Sequence, residues 1–293
     1  MRFRKDAKLD PSQVEDYRGR GGGLPGGIPL QLGGGGGIIV LLVVLAFMFL
    51  GGGGGLGDLG SLAGQTVGPG QQPPGDLAQE CQTGQDANER EDCRILASIN
   101  SIQAYWNKAF RGYEPTATRL FDGSIQTGCG GASSAVGPFY CPNDRYVYID
   151  LGFFDQLSSQ LGAQGGPLAE AYILAHEYGH HVQNLTGVFR NADRGTGPQG
   201  GQVRVELQAD CYAGLWVGNA VKTGFIEDLT RRDVTQALDA AASVGDDRIQ
   251  ERTQGRVTPE SWTHGSAEQR QSWFVRGIEG SGPQSCDTFK GRV

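Results

Sequence analysis

Three of the chain's four histidines fall within six consecutive positions, inside the segment PLAEAYILAHEYGHHVQNL that spans Pro167–Leu185. His176 and His180 are four residues apart, so on a helix their imidazoles share a face and can grip one metal ion. Glu177 then reaches the open side of that ion. This is the HExxH arrangement, in which two histidines hold zinc and the glutamate is the general base of a hydrolysis. Glu177 would accept a proton from water and later pass it to the leaving amine. His181 points away from the ligand pair and reads as structural.

A catalytic zinc needs a third protein ligand and one open position. A third histidine at HExxHxxGxxH spacing would require a glycine and then a histidine three and six positions after His180. The chain has Gln183 and Thr186 there, which excludes that subclass. The better candidate is Glu206, in RVELQADCYAGLWVG. Glu206 and Asp210 are the only acids of that otherwise apolar stretch, and their i, i+4 spacing places them on one face. A buried carboxylate needs a partner, which a metal supplies. Asp210 could accept the second N–H of a ligating histidine and fix its tautomer. The alternative is that these acids pair with arginines such as Arg204. His264, outside the motif, could donate to the oxyanion of a tetrahedral intermediate, or be a structural or surface histidine. Tyr140, Tyr146 and Tyr148 are further possible donors, and the sequence does not choose among them.

These residues need helices to carry them. Leu168, Ala171, Ala175, Tyr178, Val182 and Leu185 form one apolar stripe at helical spacing, with Pro167 suited to the first helical position and Gly187 to the stop. The bland reading, a polar face on a surface helix, fits the clustered histidines poorly. Arg90–Tyr113 is predicted to be a helix, with Ile95, Ile99, Ile102, Trp106 and Phe110 on one side. Asp122–Pro142 reads as glycine-rich loop and Arg145–Phe154 as a strand. Thr186–Gln202 is a connecting or adjustable loop. Helical runs follow at Thr230–Val244 and Ser266–Ile278.

The six cysteines all lie after residue 80. An even count of this kind reads as a disulfide framework in an oxidising compartment, with six buried thiols as the alternative. Several pairings are open. Cys81–Cys93 and Cys129–Cys141, each closing a short loop, are favoured, which leaves Cys211–Cys286.

Charge and glycine divide the chain. Beyond residue 37 there are 28 acidic against 19 basic side chains, a poor surface for phosphate contacts, so nucleic acid is set aside as a partner. Ile38–Leu50 has no polar side chain, and no charge occurs from Ile28 to Gly57. The apolar run alone is shorter than the roughly 20 residues a span requires, but glycine is tolerated in membrane helices. The expectation is a cytoplasmic segment at 1–37, an uncleaved membrane anchor at 38–57, a flexible linker at 58–80, and a folded domain at 81–293. Basic residues before the anchor place the N-terminus in the cytoplasm and the domain outside it, as a single-pass protein of the inner (cytoplasmic) membrane facing the periplasm. A cleaved signal peptide is the rival reading.

The opening MRFRKDAKLDPSQVEDYRGR, the glycine-flanked apolar run, HEYGHHVQNLTG, ELQADCYAGLW and HGSAEQRQSWFVRG together resemble the neutral zinc metallopeptidase family of bacterial proteins with one N-terminal span. The resemblance covers nearly the whole chain. It implies a zinc cofactor and a peptide or protein substrate. HExxH followed by ExxxD is similar to the zincin class whose third ligand is glutamate, which supports Glu206 as ligand and Asp210 behind it.

The expected fold is α+β, mainly α: a zincin-like domain with a small sheet whose edge strand lies beside the HExxH helix. In such folds the edge pairs with an extended substrate, and Arg145–Leu151 is the candidate edge. Two other functions stay open, a non-catalytic envelope scaffold with structural zinc and a zinc hydrolase acting on a non-peptide amide.

Overall fold

A computed structural model of the chain describes residues 1–19 and 76–293. The fold is α+β and mainly α, as expected. Its helices are α1 (Leu77–Glu80), α2 (Gly84–Glu89), α3 (Glu91–Ala109), α4 (Gly152–Ser159), α5 (Pro167–Thr186), α6 (Val188–Asn191), α7 (Gly201–Asn219), α8 (Arg231–Ser243), α9 (Asp246–Gln254) and α10 (Ala267–Glu279). Helix α5 packs on α3, α7 and α8, and α7 packs on α10.

The ends of these helices follow local chemistry. Pro167 opens α5, and Gly187 closes it in the left-handed region at φ 77°. Ser266 and Gln269 form a capping box at the start of α10, and Thr230 and Asp233 do the same for α8. Helices α7 and α10 touch through glycine. A Cβ on Gly277 would sit 2.0 Å from the Cys211 carbonyl oxygen, so no other residue allows this crossing. Arg270 rides on that helix.

The main sheet has four short strands in the order β2 (Val14–Asp16), β3 (Thr118–Leu120), β7 (Val147–Ile149) and β6 (Phe139–Tyr140). The first three run parallel, and β6 is antiparallel to β7 with Phe139 opposite Tyr148. Strand β1 (Arg2–Phe3) pairs with β8 (Ile226–Asp228), and β4 (Ser124–Thr127) with β5 (Gly130–Ser133) forms a hairpin. Two expectations change here. Asp122–Pro142 is not all loop, since it holds that hairpin and β6. The strand expected at 145–154 covers only Val147–Ile149, because Asp150 accepts the Gly152 N–H at 2.9 Å and turns the chain into α4. The sheet edge beside α5 is therefore β6, whereas β7, the expected edge, is internal.

Three disulfides join Cys81 to Cys93, Cys129 to Cys141 and Cys211 to Cys286. The second ties the hairpin to β6 over a small apolar cluster of Phe121, Ala132, Val136, Phe139 and Tyr148.

The single-pass membrane placement is corrected. The expected anchor at 38–57 lies outside the described residues, and among the described residues no helix is long and apolar enough to cross a membrane. Moreover, residues on both sides of that stretch share one body. Arg4 N–H donates to the Phe225 carbonyl at 2.9 Å, Phe3 N–H to Asn88 at 2.9 Å and Asp10 N–H to Asn100 at 2.8 Å. Phe3, Leu9 and Val14 are buried in the same core as the long helices. A bilayer core is about 30 Å thick, so segments bonded backbone to backbone cannot lie on its opposite sides. The assignment of residues 1–37 to the cytoplasm and of 81–293 to the far side of an inner membrane is withdrawn. The linker expected at 58–80 is outside the described residues up to position 75, and its end is α1, with Leu77 buried.

Candidate active site

Helix α5 is buried over most of its length, so His176, Glu177 and His180 face neighbouring structure rather than water. Opposite them α7 presents Glu206. His176 Nε2 lies 3.1 Å from Glu206 Oε2, and His180 Nε2 lies 3.5 Å from Oε1. The imidazole centroids are 4.7 Å apart with the rings nearly perpendicular. The two helices come this close because Gly179, between the histidines, faces Ala209. A Cβ there would approach the Ala209 Cα to 3.1 Å, tighter than ordinary packing.

One ligand atom each from His176, His180 and Glu206 lies within 4.8 Å of the others, all buried. Tetrahedral zinc with bonds of roughly 2.1 Å needs donors about 3.4 Å apart. The contacts of 3.1 Å to Oε2 and 3.5 Å to Oε1 of Glu206 are close to that spacing, and two imidazoles with one carboxylate are the donor chemistry such an ion takes.

Each imidazole is held from behind, by different means. His176 Nδ1 donates to Asp210 Oδ1 at 2.8 Å. Asp210 is fully buried and also receives the Tyr172 hydroxyl at 2.5 Å and Arg270 Nε and Nη2 at 2.8 and 2.9 Å. His180 Nδ1 donates to Gln183 Oε1 at 2.8 Å. The amide orientation of Gln183 follows from its Nε2, which donates to the Val205 carbonyl at 2.7 Å and to Gln208 at 3.0 Å. With both Nδ1 atoms held by acceptors, both Nε2 atoms face Glu206, where a metal ion would displace any proton they carry and take their lone pairs.

The charges follow these contacts. Burial opposes a charged His176, yet Asp210 outweighs it and raises the imidazole to about 10. Burial likewise opposes ionised Asp210, but Arg270 and then His176 hold it below the carboxylate range. Glu206 is held well below that range against burial, chiefly by His180 and His176. Glu177 moves the other way: burial raises it, and its nearby hydrogen-bond donor is the Tyr140 backbone N–H.

Glu177, both imidazoles and Glu206 line a cavity of ≈ 100 Å³, together with His264, Arg270 and several apolar side chains. His264 reaches it from the turn before α10. Its Nδ1 is 3.2 Å from Asp246 Oδ1 and 2.9 Å from the Thr263 hydroxyl. Asp246 raises the His264 imidazole against the effect of burial. Of the tyrosines, only Tyr140 lines the cavity, and its hydroxyl is engaged by His181 at 3.0 Å and Asn184 at 2.9 Å. Tyr146 stacks under Arg119 at 3.6 Å, and the Tyr148 hydroxyl donates to Asp144 at 2.7 Å, both away from the cavity. His181 bonds Tyr140 and, through Nε2, the Glu114 carbonyl at 2.7 Å.

The structure thus gathers His176, Glu177, His180, Glu206 and His264 at one cavity, with Asp210 behind it. Arg204 turns away toward the Gln199 and Gly291 carbonyls, so the arginine paired with Asp210 is Arg270. Sequence reasoning passed over Tyr172, Gln183, Asp246 and Arg270. Tyr172 and Gln183 stand at i−4 from His176 and i+3 from His180, a spacing that could have flagged them. Arg270 lies in the HGSAEQRQ segment, and Asp246 carries no local signal.

A buried pair of imidazoles closed by a carboxylate, beside a second acid in a cleft, defines a candidate metal-dependent hydrolase site. Residues 1–289 match the family described as "Putative neutral zinc metallopeptidase", and the chain belongs to that family. It is 53% identical over 224 residues to "Uncharacterized protein Rv2575" of Mycobacterium tuberculosis and to "Uncharacterized protein Mb2605" of Mycobacterium bovis, covering 74% of this chain and 76% of each relative. It is 41% identical over 214 residues to "Uncharacterized protein YpfJ" of Escherichia coli, covering 69% of this chain and 73% of the relative. No solved structure matches the chain.

Proposed function

We propose that the chain is a zinc metallopeptidase that cuts peptide bonds, with His176, His180 and Glu206 as zinc ligands and Glu177 as general base. The observation that carries this reading is the convergence of three buried ligand atoms within 4.8 Å, with Glu177 on the same cavity. A zinc ion held there would act as a Lewis acid, polarising a carbonyl and acidifying water. Glu177 takes a proton from the attacking water at its carboxylate and delivers it to the departing amine nitrogen. Asp210 keeps His176 in the Nδ1–H tautomer, and Gln183 does so for His180. His264, with Nδ1 held by Asp246, leaves Nε2 to donate to the developing oxyanion.

Strand β6, at the sheet edge beside α5, is where an extended substrate backbone would lie. The base role of Glu177 separates this reading from a scaffold with structural zinc, which needs ligands but no base.

The test is metal content and hydrolysis of a mixed peptide library by the full chain, against Glu177→Gln and Glu206→Gln. Wild type and Glu177→Gln should each hold about one zinc, with kcat reduced by roughly 10²–10⁴ in the variant. Glu206→Gln should lose metal. Zinc in both Glu177 proteins with cleavage by neither would favour the scaffold or a non-peptide amide substrate, and a wild type that binds no zinc would end the proposal.

A further inference from the structure

The two imidazoles of the site are held from behind by different chemistry. His176 leans on a buried carboxylate, Asp210, which is itself paired with Arg270. His180 leans on a relay of neutral amides. Its Nδ1 is 2.8 Å from Gln183 Oε1, Gln183 Nε2 donates to Gln208 Oε1 at 3.0 Å, and Gln208 Nε2 donates to the Cys286 carbonyl at 3.0 Å. His180, Gln183, Gln208 and Cys286 are all buried, so a broken link leaves a polar group unpaired in the interior.

The relay has one direction, and backbone carbonyls set it. A carbonyl only accepts, so the Cys286 oxygen requires the amide nitrogen of Gln208 to face it. Gln208 must then turn its oxygen toward Gln183. That oxygen and the Val205 carbonyl, at 2.7 Å, take the two N–H bonds of the Gln183 amide. The Gln183 oxygen is left facing His180 Nδ1, which can meet it only as a donor. Turning either amide over would set oxygen against oxygen at these same distances. Nδ1 therefore carries a proton whether the ring is neutral or charged, and Nε2 is the nitrogen directed at Glu206.

The far end of the relay is fixed in its turn. Cys286 closes the turn Pro283–Cys286 and is bonded to Cys211 of α7, the residue after Asp210. Its carbonyl also accepts the Thr288 N–H at 3.0 Å, and the Thr288 hydroxyl donates to the Arg204 carbonyl of α7 at 2.7 Å. The disulfide thus clamps the last acceptor onto the helix that carries Glu206.

Resting on the reading of His180 as a zinc ligand, we propose that Gln208 is a positioning residue of the metal site. Its amide, oriented by the Cys286 carbonyl behind the Cys211–Cys286 disulfide, locks Gln183 and so presents His180 Nε2 to the metal. The arrangement fixes one ligand without burying a second carboxylate behind the site.

The test reads ring nitrogens and zinc rather than turnover, on the full chain. In the zinc-free wild type, nitrogen NMR of the histidine rings should show His180 protonated at Nδ1, with a slowly exchanging N–H. Gln208→Met keeps the side chain's length but neither its donor nor its acceptor. It should broaden the His180 Nδ1–H signal and leave that of His176 unchanged. By chelator competition, Gln183→Met should weaken zinc binding about 10–100-fold and Gln208→Met about tenfold. Adding Gln208→Met to Gln183→Met should cost nothing further, because the relay is already cut. A Gln208 that only supports the fold would lower affinity equally in both backgrounds, and that result overturns the proposal, as does unchanged affinity in Gln208→Met. If a variant folds poorly, the wild-type spectrum still decides, since a His180 protonated at Nε2 alone ends the relay. Failure of the peptidase reading is seen separately, as a wild type that binds no zinc, whatever its ring spectrum shows.

Discussion

The two walls of the cleft are built on opposite plans. The helical wall, from α5, α7 and α10, buries His176, Glu206, Asp210 and Arg270 and gives each a partner across a helix interface. The sheet wall ends in a two-residue strand, Phe139–Tyr140, held by a disulfide, by one neighbouring strand and by the bonds of Tyr140 to His181 and Asn184. One wall stores charge in a low-dielectric interior, where removing a partner is expensive. The other is a sheet edge whose Phe139 and Tyr140 line the cavity. The buried charges thus sit where position is over-determined, and the other wall is a short strand held by fewer contacts.

Breaking the helical wall should cost most. Arg270→Met leaves Asp210 buried without its bidentate partner, and a loss of about 3–5 kcal/mol is expected in chemical denaturation. Zinc affinity should fall about 10–100-fold as His176 loses its support. Arg270→Lys should recover only part of this, because an ammonium lacks the planar fork. If Arg270→Met melts like wild type, the buried network is not what holds this wall.

The sheet wall should yield differently. Removing its cross-link by Cys129→Ser with Cys141→Ser should cost about 2–4 kcal/mol. Zinc content should stay near wild type while KM for peptides rises, since the proposed metal ligands sit on the other wall. A double variant that loses zinc as readily as peptide affinity would show that the two walls are not separable.

Gly179→Ala tests the helical wall without touching a charge. The added methyl meets the Ala209 backbone, and a cost of about 1–3 kcal/mol is expected from overpacking. Weaker zinc binding should accompany it, as α7 carries Glu206 away from α5. Unchanged zinc affinity would mean that the helices' separation is not set at this glycine.

The smallest effect concerns how the N-terminal segment is tied to the body. Arg90 hydrogen-bonds to Asp92, and Arg18 of that segment lies 3.5 Å away. Burial opposes ionised Asp92, but the Arg90 hydrogen bonds and the charges of Arg90 and Arg18 hold it below the carboxylate range. The stabilisation is therefore complete above the unfolded value of about 3.9 and is lost as pH falls through the lower folded value. Amide protection of residues 2–18 should hold to about pH 4 and decline below it. In Asp92→Asn that acid step should flatten. Protection that is already absent at neutral pH would refute the docking of this segment.

Sequence determined the helical wall to a large extent. The period of Pro167–Leu185, its proline start and glycine stop, and the i, i+4 spacings of His176 with His180 and Glu206 with Asp210 all act within one or two turns, and local geometry alone sets which face they share. The pattern also identified the cysteine pairs that close short loops. Packing alone decided the rest. Arg270 meets Asp210 across 60 positions, Asp246 meets His264 across 18, and Arg4 meets Phe225 across the whole body. The strand that became the cleft's edge is two residues long and takes its conformation from β7 and a disulfide, so its own residues carried no strand signal. The single-pass placement expected from a short apolar run was overruled in the same way, by contacts between the described segments on either side of it. Periodicity records what a residue's near neighbours require, whereas the partner of a buried charge and the register of a short strand are fixed only when distant segments compete for the same space.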